Sequence, residues 1–120
     1  LITQLSEIFA KTNKSSAQLF VDEFFGAEEK IMFSKRLAAI AMCIEGNSTY
    51  RISQLLYMSP STAERIKLKY QIGKYKSIEH LLTSNRSDYQ KFWETLEIIL
   101  SAGLPPRGRG RWKSLLQNKD

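Results

Sequence analysis

The sequence predicts an all-α fold. Large apolar residues recur at helical spacing along most of the chain, as in Ile2, Leu5, Ile8 and Phe9, or Phe92, Trp93, Leu96, Ile99 and Leu100. Serines and glycines punctuate these stripes where helices would start and stop. Residues 49–69 read as two short helices joined by a turn. We expect one helical domain over residues 1–102, with a basic Arg/Gly tail over 103–120. A chain of 120 residues can bury a modest core.

Composition excludes several classes of protein. No apolar run reaches the roughly 20 residues needed to span a bilayer, and no signal-peptide pattern is present. A membrane partner is not expected, and a cytoplasmic location is. The chain begins with Leu1 rather than methionine, as a trimmed or partial chain would. The single Cys43 lies in an apolar helical stretch and reads as a buried spacer of a cytosolic protein. One His and one Cys give no visible nucleophile–base pair, and His80 reads as a surface or packed residue. Neither a glycine-rich phosphate loop nor a metal-ligand cluster is present, so no enzyme and no cofactor are expected.

The helices follow in order. The stripe Ile2–Leu5–Ile8–Phe9 ends near Lys11 to Lys14. Ser15 or Ser16 would cap the next helix, whose apolar face is Leu19, Phe20, Val21, Phe24 and Phe25, with Gly26 as its stop. Neither helix could bury its stripe alone, so both must pack on the rest of the domain or on a second subunit. The longest helix would cover residues 27–45. Glu28 and Glu29 favour its first turn through the helix dipole. Ile31, Leu37, Ile40, Ala41 and Ile44 form its inward stripe, widened by Met32 and Phe33, and Gly46-Asn47 ends it.

The helix pair comes next, as a helix-turn-helix over about 49–70. Its first helix would run over residues 49–56 from a Ser48 or Thr49 cap, turning inward Ile52, Leu55 and Leu56. Ser53, being small, would sit where the two helices approach most closely. Tyr57 and Met58 make the turn, with Met58 plugging the corner. The turn position usually held by glycine is Tyr57. A left-handed tyrosine costs about 1 kcal/mol or more, so a different turn geometry is expected. Ser59 would cap the second helix with Pro60 in its first position, where a missing N–H costs nothing. Ala63 and Ile66 face inward, leaving Ser61, Thr62, Glu64, Arg65, Lys67 and Lys69 outward. Such groups suit base edges and phosphates.

Charge is concentrated on the same stretch. The net charge is +6; residues 46–76 carry six Lys/Arg against one Asp/Glu, and residues 103–120 carry five against one. Residues 1–45 hold five against six, and residues 77–102 two against four. A basic patch confined to one element is the electrostatic footprint of a nucleic-acid binder. Its bland counterpart is a solvated basic surface.

The run K-R-L-A-A-I-A-M-C-I-E-G on the long helix, followed by Y-R-I-S-Q-L-L-Y-M-S-P-S-T-A-E-R-I, resembles the Trp repressor superfamily of bacterial regulators. The resemblance covers residues 25–66. It implies a homodimer interlocked through its N-terminal helices, with the second helix of each pair in the major groove of double-stranded DNA. In the repressor two arginines sandwich an indole ligand, and Arg36 and Arg65 match those positions. Ile66 stands where the repressor has glycine, and an amino-acid corepressor is not expected. Arg36 would then pair with an acid and Arg65 touch phosphate.

Beyond the helix pair, residues 71–76 with Gly73 read as a helix end and connector. Ser77 would cap a short helix with Ile78, Leu81 and Leu82, and Ser87 a last one with Tyr89, Phe92, Trp93, Leu96, Ile99 and Leu100 inward. This last helix would stop at Ala102-Gly103, before Pro105-Pro106. In the tail, Pro106-Arg107-Gly108-Arg109 resembles the core of an AT-hook, with Gly110 departing from that pattern. It also resembles an RGG-type segment, with Trp112 available to stack on a base. A plain basic tail, or a docking helix using Trp112, Leu115 and Leu116, are the other readings.

The expected function is sequence-specific DNA binding by a transcriptional regulator. Ser61, Thr62, Glu64 and Arg65 would lie at or near base edges, beside Ser59 at the cap. Arg51, Lys67, Lys69, Lys74 and Lys76 would hold phosphates, and Arg107, Arg109 and Arg111 would grip the minor groove or backbone. The alternatives are the DNA-binding module of a transposase or replication initiator, and a protein-interaction domain that binds no DNA.

Overall fold

A computed structural model describes residues 1–101. The described residues are all helical apart from turns and short connectors. They form α1 (Ile2–Ala10), α2 (Lys14–Phe24), α3 (Ala27–Ile44), α4 (Thr49–Leu56), α5 (Pro60–Gln71), α6 (Lys76–Thr83) and α7 (Arg86–Ser101). The chain divides into two compact units, one over Leu1–Lys30 and one from Ile31 onward.

The first unit holds α1, α2 and the first turn of α3. Asn13, not Ser15 or Ser16, caps α2. Its Oδ1 accepts the Ser16 N–H at 2.9 Å, and the Ser16 hydroxyl accepts the Asn13 N–H in return. Asparagine caps as well as serine does, and a serine three residues on completes the reciprocal pair. Gly26 does not stop α2; that helix ends on extended Phe25, and the Gly26 N–H donates to Glu29 Oε1 at the start of α3. Phe9, Phe20 and Phe24 stack in series, with ring centroids 4.6 and 5.2 Å apart. Yet neither helix has a buried residue, and Phe24 is 60% exposed.

In the second unit, Ala38 to Cys43 of α3 are buried in unbroken sequence, so this part of the helix is enclosed on all sides. Ile52 and Leu56 of α4, Ala63 and Ile66 of α5, and Leu96 and Ile99 of α7 complete that core. Met32 and Phe33 do not widen the inward stripe. Ile31 takes that face, and a step of 100° per residue leaves its two successors exposed. The helix ends as expected at Gly46 (φ 86°): the Gly46 N–H donates to the Cys43 carbonyl and the Asn47 N–H to the Met42 carbonyl. α5 closes the same way on Gly73 (φ 83°), with Gly73 N–H to Tyr70 and Lys74 N–H to Lys69.

Two expected caps lie inside their helices instead. α6 starts after Tyr75 with no side-chain cap, so Ser77 falls in its first turn. α7 starts after Asn85, whose Oδ1 accepts the Asp88 N–H at 2.9 Å, and Ser87 is already helical. In α6, Ile78 packs on the core, while Leu81 is 74% exposed. The expected stop at Ala102-Gly103 lies outside the described residues, as does the tail.

α7 is tied to the end of α3 by one polar contact. The Tyr89 hydroxyl donates to Glu45 Oε2 at 2.6 Å. Burial first, and the Glu45 carboxylate next, push the Tyr89 phenol up from 10 to about 12. A raised folded value means that the contact stabilises the protein fully below pH 10 and is lost as pH rises through about 12. Urea melts at stepped alkaline pH should therefore show a loss between those limits that Tyr89→Phe lacks. Parallel loss in both proteins would assign the effect to other groups.

Candidate nucleic-acid interface

The most sharply specified local structure is the α4–α5 pair, whose bounds follow from its caps. Ser48 Oγ accepts the Arg51 N–H at 3.1 Å, and Ser59 Oγ accepts the Thr62 N–H at 3.1 Å. Pro60 opens α5. Ser53 is buried, and its hydroxyl is satisfied by the Tyr50 carbonyl at 3.1 Å. A small, internally bonded side chain lets the two helices close on each other without an orphaned polar group.

The turn differs from expectation. Tyr57 does adopt the left-handed conformation, at φ 54° and ψ 51°. Three contacts hold it there. The N–H groups of Tyr57 and Met58 both donate to the Ser53 carbonyl, and Lys35 Nζ, from α3, donates to the Tyr57 carbonyl at 3.2 Å. Met58 packs against the core. Together they outweigh a backbone strain of about 1–2 kcal/mol. Tyr57→Gly should relieve that strain and, after the extra chain entropy of glycine, raise stability by about 0.5–1 kcal/mol. Tyr57→Val should lower it. Chemical denaturation of the two variants checks both signs, and a destabilised glycine variant would show that the Tyr57 side chain contributes more than its backbone costs.

The outward face of α5 divides into groups that are open and groups already engaged. Ser61, Glu64, Arg65 and Lys69 are exposed, and Ser61, Arg65 and Lys69 recur every fourth residue along one stripe. The Ser59 hydroxyl donates to Thr62 Oγ1 at 2.8 Å and also lies in hydrogen-bond contact with the Ser61 hydroxyl at 3.3 Å, so Ser61 is exposed yet engaged. Lys67 departs most from its expected role. It is half-buried, and its ammonium donates to the Asn47 carbonyl at the end of α3. There it acts as a brace between α3 and α5, so phosphate is not its partner in this conformation. The same ammonium partly offsets the burial that pushes the Cys43 thiol up. Cys43 is buried, as a spacer would be.

Arg51, Lys74 and Lys76 are exposed. The Lys76 stem runs beside Gly73, where an added Cβ would come within 3.1 Å of its Cε. Arg36 is exposed, its guanidinium 5.9 Å from the centroid of the Phe33 ring. Arg36 and Arg65 line neither the cleft between α3, α4 and α7 nor the one between α3 and α7 around Leu37 and Leu96. Arg107, Arg109 and Arg111 lie outside the described residues.

Sequence reasoning passed over three outward residues. Leu68 is 56% exposed on the open face of α5, and Tyr50 and Gln54 are exposed one turn apart on α4. The signal was available: Leu68 lies three and four residues beyond Arg65 and Glu64, the spacing that shares a helix face.

No group of three or more His, Cys, Asp or Glu among the described residues could hold a metal ion. No helix among them is long and apolar enough to cross a membrane. The chain matches no protein-family model, no curated protein and no solved structure.

Proposed function

We propose that this protein binds double-stranded DNA sequence-specifically as a homodimeric, cytoplasmic transcriptional regulator similar to the Trp repressor superfamily, with α4–α5 as its helix-turn-helix. One observation carries the reading. α5 buries only Ala63 and Ile66, and it turns Ser61, Glu64, Arg65 and Lys69 outward in a stretch where cations outnumber acids six to one. α5 would enter the major groove, with Arg51, Lys69, Lys74 and Lys76 on phosphates. Leu68 adds an apolar contact of the kind that reads a thymine methyl.

The N-terminal unit supports the homodimer. Its two helices have 9 and 11 residues, too short for stability in water by themselves, and no residue of either is buried. A second copy covering this apolar face would give both helices the burial they lack.

Fluorescence anisotropy on a random duplex across a salt series tests the DNA reading. Affinity should fall steeply with salt, with a slope of about −0.9 per phosphate engaged. The double variant Lys69→Gln, Lys74→Gln should flatten that slope by about two. Absent binding at low salt would favour the protein-interaction alternative, and sedimentation of the same sample would report the oligomer.

A further inference from the structure

α5 buries one side through Ala63 and Ile66. At about 100° per residue, the opposite side runs through Ser61, Arg65, Leu68 and Ile72. Leu68 is 56% exposed and Ile72 62%. The Ile72 N–H donates to the Leu68 carbonyl at 3.0 Å, so the helical register carries through to Ile72. Two aliphatic side chains therefore stand one turn apart at the centre of the exposed face. Arg65 precedes them on the same line, and Lys69 flanks it.

Charge and size decide what covers this pair. Residues 46–76 carry six Lys/Arg against one Asp/Glu, so a polyanion is the partner their charge favours. An apolar protein surface laid on Leu68 and Ile72 would have to desolvate the Arg65 and Lys69 charges beside them. Two side chains also fall far short of the roughly 600 Å² per partner of a stable protein interface. The major groove of DNA removes both difficulties. Its phosphate rims meet the cations, and its floor offers one apolar group to aliphatic side chains, the C5-methyl of thymine.

The dimensions agree. A helix of about 10–12 Å diameter fits lengthwise in a groove about 12 Å wide. Four residues of helix rise about 6 Å, close to two base-pair steps of about 3.4 Å. We infer that α5 lies along the major groove instead of entering it by its N-terminal end alone, and that Leu68 and Ile72 read the methyl groups of two thymines about two base pairs apart. The inference rests on the DNA-binding reading of α5, and it narrows the target to duplexes that carry such a thymine pair beside the base pair met by Arg65.

The full chain first selects a site from a random duplex pool. Each thymine of the selected duplex is then replaced singly by uracil, which removes the methyl group and leaves the pairing edge intact. Anisotropy should show the Kd rising about fourfold at two positions about two base pairs apart, the loss of one buried methyl group at each. Leu68→Ala should bind the thymine and uracil duplexes alike at one of these positions, and Ile72→Ala at the other. Both residues are exposed, so neither variant should shift the thermal melt, and the uracil scan on the wild type stands without them. The inference is overturned if a site is selected and fewer than two thymines show the penalty, or if both alanine variants keep the wild-type penalty. A changed sedimentation of either variant free of DNA also overturns it, assigning the pair to a contact between copies. A chain that selects no site overturns the sequence-specific reading, and this inference falls with it; a selected site indifferent to uracil overturns this inference alone.

Discussion

Leu56→Ala is expected to destabilise the protein by about 3 kcal/mol, within the 2–5 kcal/mol typical of buried leucine truncations. Leu56 is the last residue of α4 and is fully buried, beside Ile52 of the preceding turn, which is equally enclosed. α4 has eight residues, so its own hydrogen bonds cannot sustain it in water, and packing must. The residue also precedes the strained Tyr57, so a cavity there loosens the contacts that hold the left-handed turn. For a domain whose whole stability is about 5–15 kcal/mol, the loss is a large fraction of the total. Urea denaturation followed by circular dichroism measures it. A loss under about 1 kcal/mol would mean that the site collapses around the smaller side chain. Leu81→Ala, at an exposed position of α6, is the control and should change stability by less than about 0.5 kcal/mol.

What the sequence made legible is where signals are local. The α4–α5 bounds could be read from Ser48, Ser59 and Pro60 because each cap or starter acts within one turn of its own position. The Gly46 and Gly73 closures were legible for the same reason. Misassigned caps arose where two polar residues compete inside one turn. Asn13 and Ser16 satisfy each other, and Asn85 precedes Ser87 by two residues. Composition cannot choose between such neighbours, because either would cap if the chain entered the helix there. Long-range braces were not legible at all. Lys67 reaches Asn47 and Lys35 reaches Tyr57, and both contacts exist only once α3 lies against the helix pair. That is why a lysine on the charged face of α5 read as a phosphate ligand, and why the cost of a left-handed tyrosine read as a reason against the turn. The apolar stripes carry the direction of each buried face but not its width, so Met32 and Phe33 read as inward although both are exposed.

Arg65→Ala is expected to lower affinity for a selected DNA site by about 1–3 kcal/mol, or roughly 5- to 150-fold, and for random duplex far less. The expectation starts from position. Arg65 stands one helical turn beyond Ser61 and one before Lys69, on the exposed stripe of α5, with Ile66 beside it anchored in the core. A core anchor at the next residue fixes the rotation of the helix, and so fixes which side chain leads toward the groove. Arginine presents a planar fork of donors that matches the acceptor pair on a guanine edge, whereas contact with phosphate alone carries no sequence information. The two roles differ in salt dependence as well as in specificity. A base-reading Arg65 leaves the salt slope nearly unchanged when removed, while a phosphate-bound one takes about one unit of slope with it. Lys69→Ala supplies the contrast, since a flexible ammonium in the last turn of α5 should weaken both duplexes alike and flatten the slope. Site selection from a random pool, followed by anisotropy on the selected and random duplexes at two salt concentrations, separates the roles. Equal losses for Arg65→Ala on both duplexes, with a flattened slope, would place Arg65 on phosphate and move base reading to Ser61, Glu64 and Leu68.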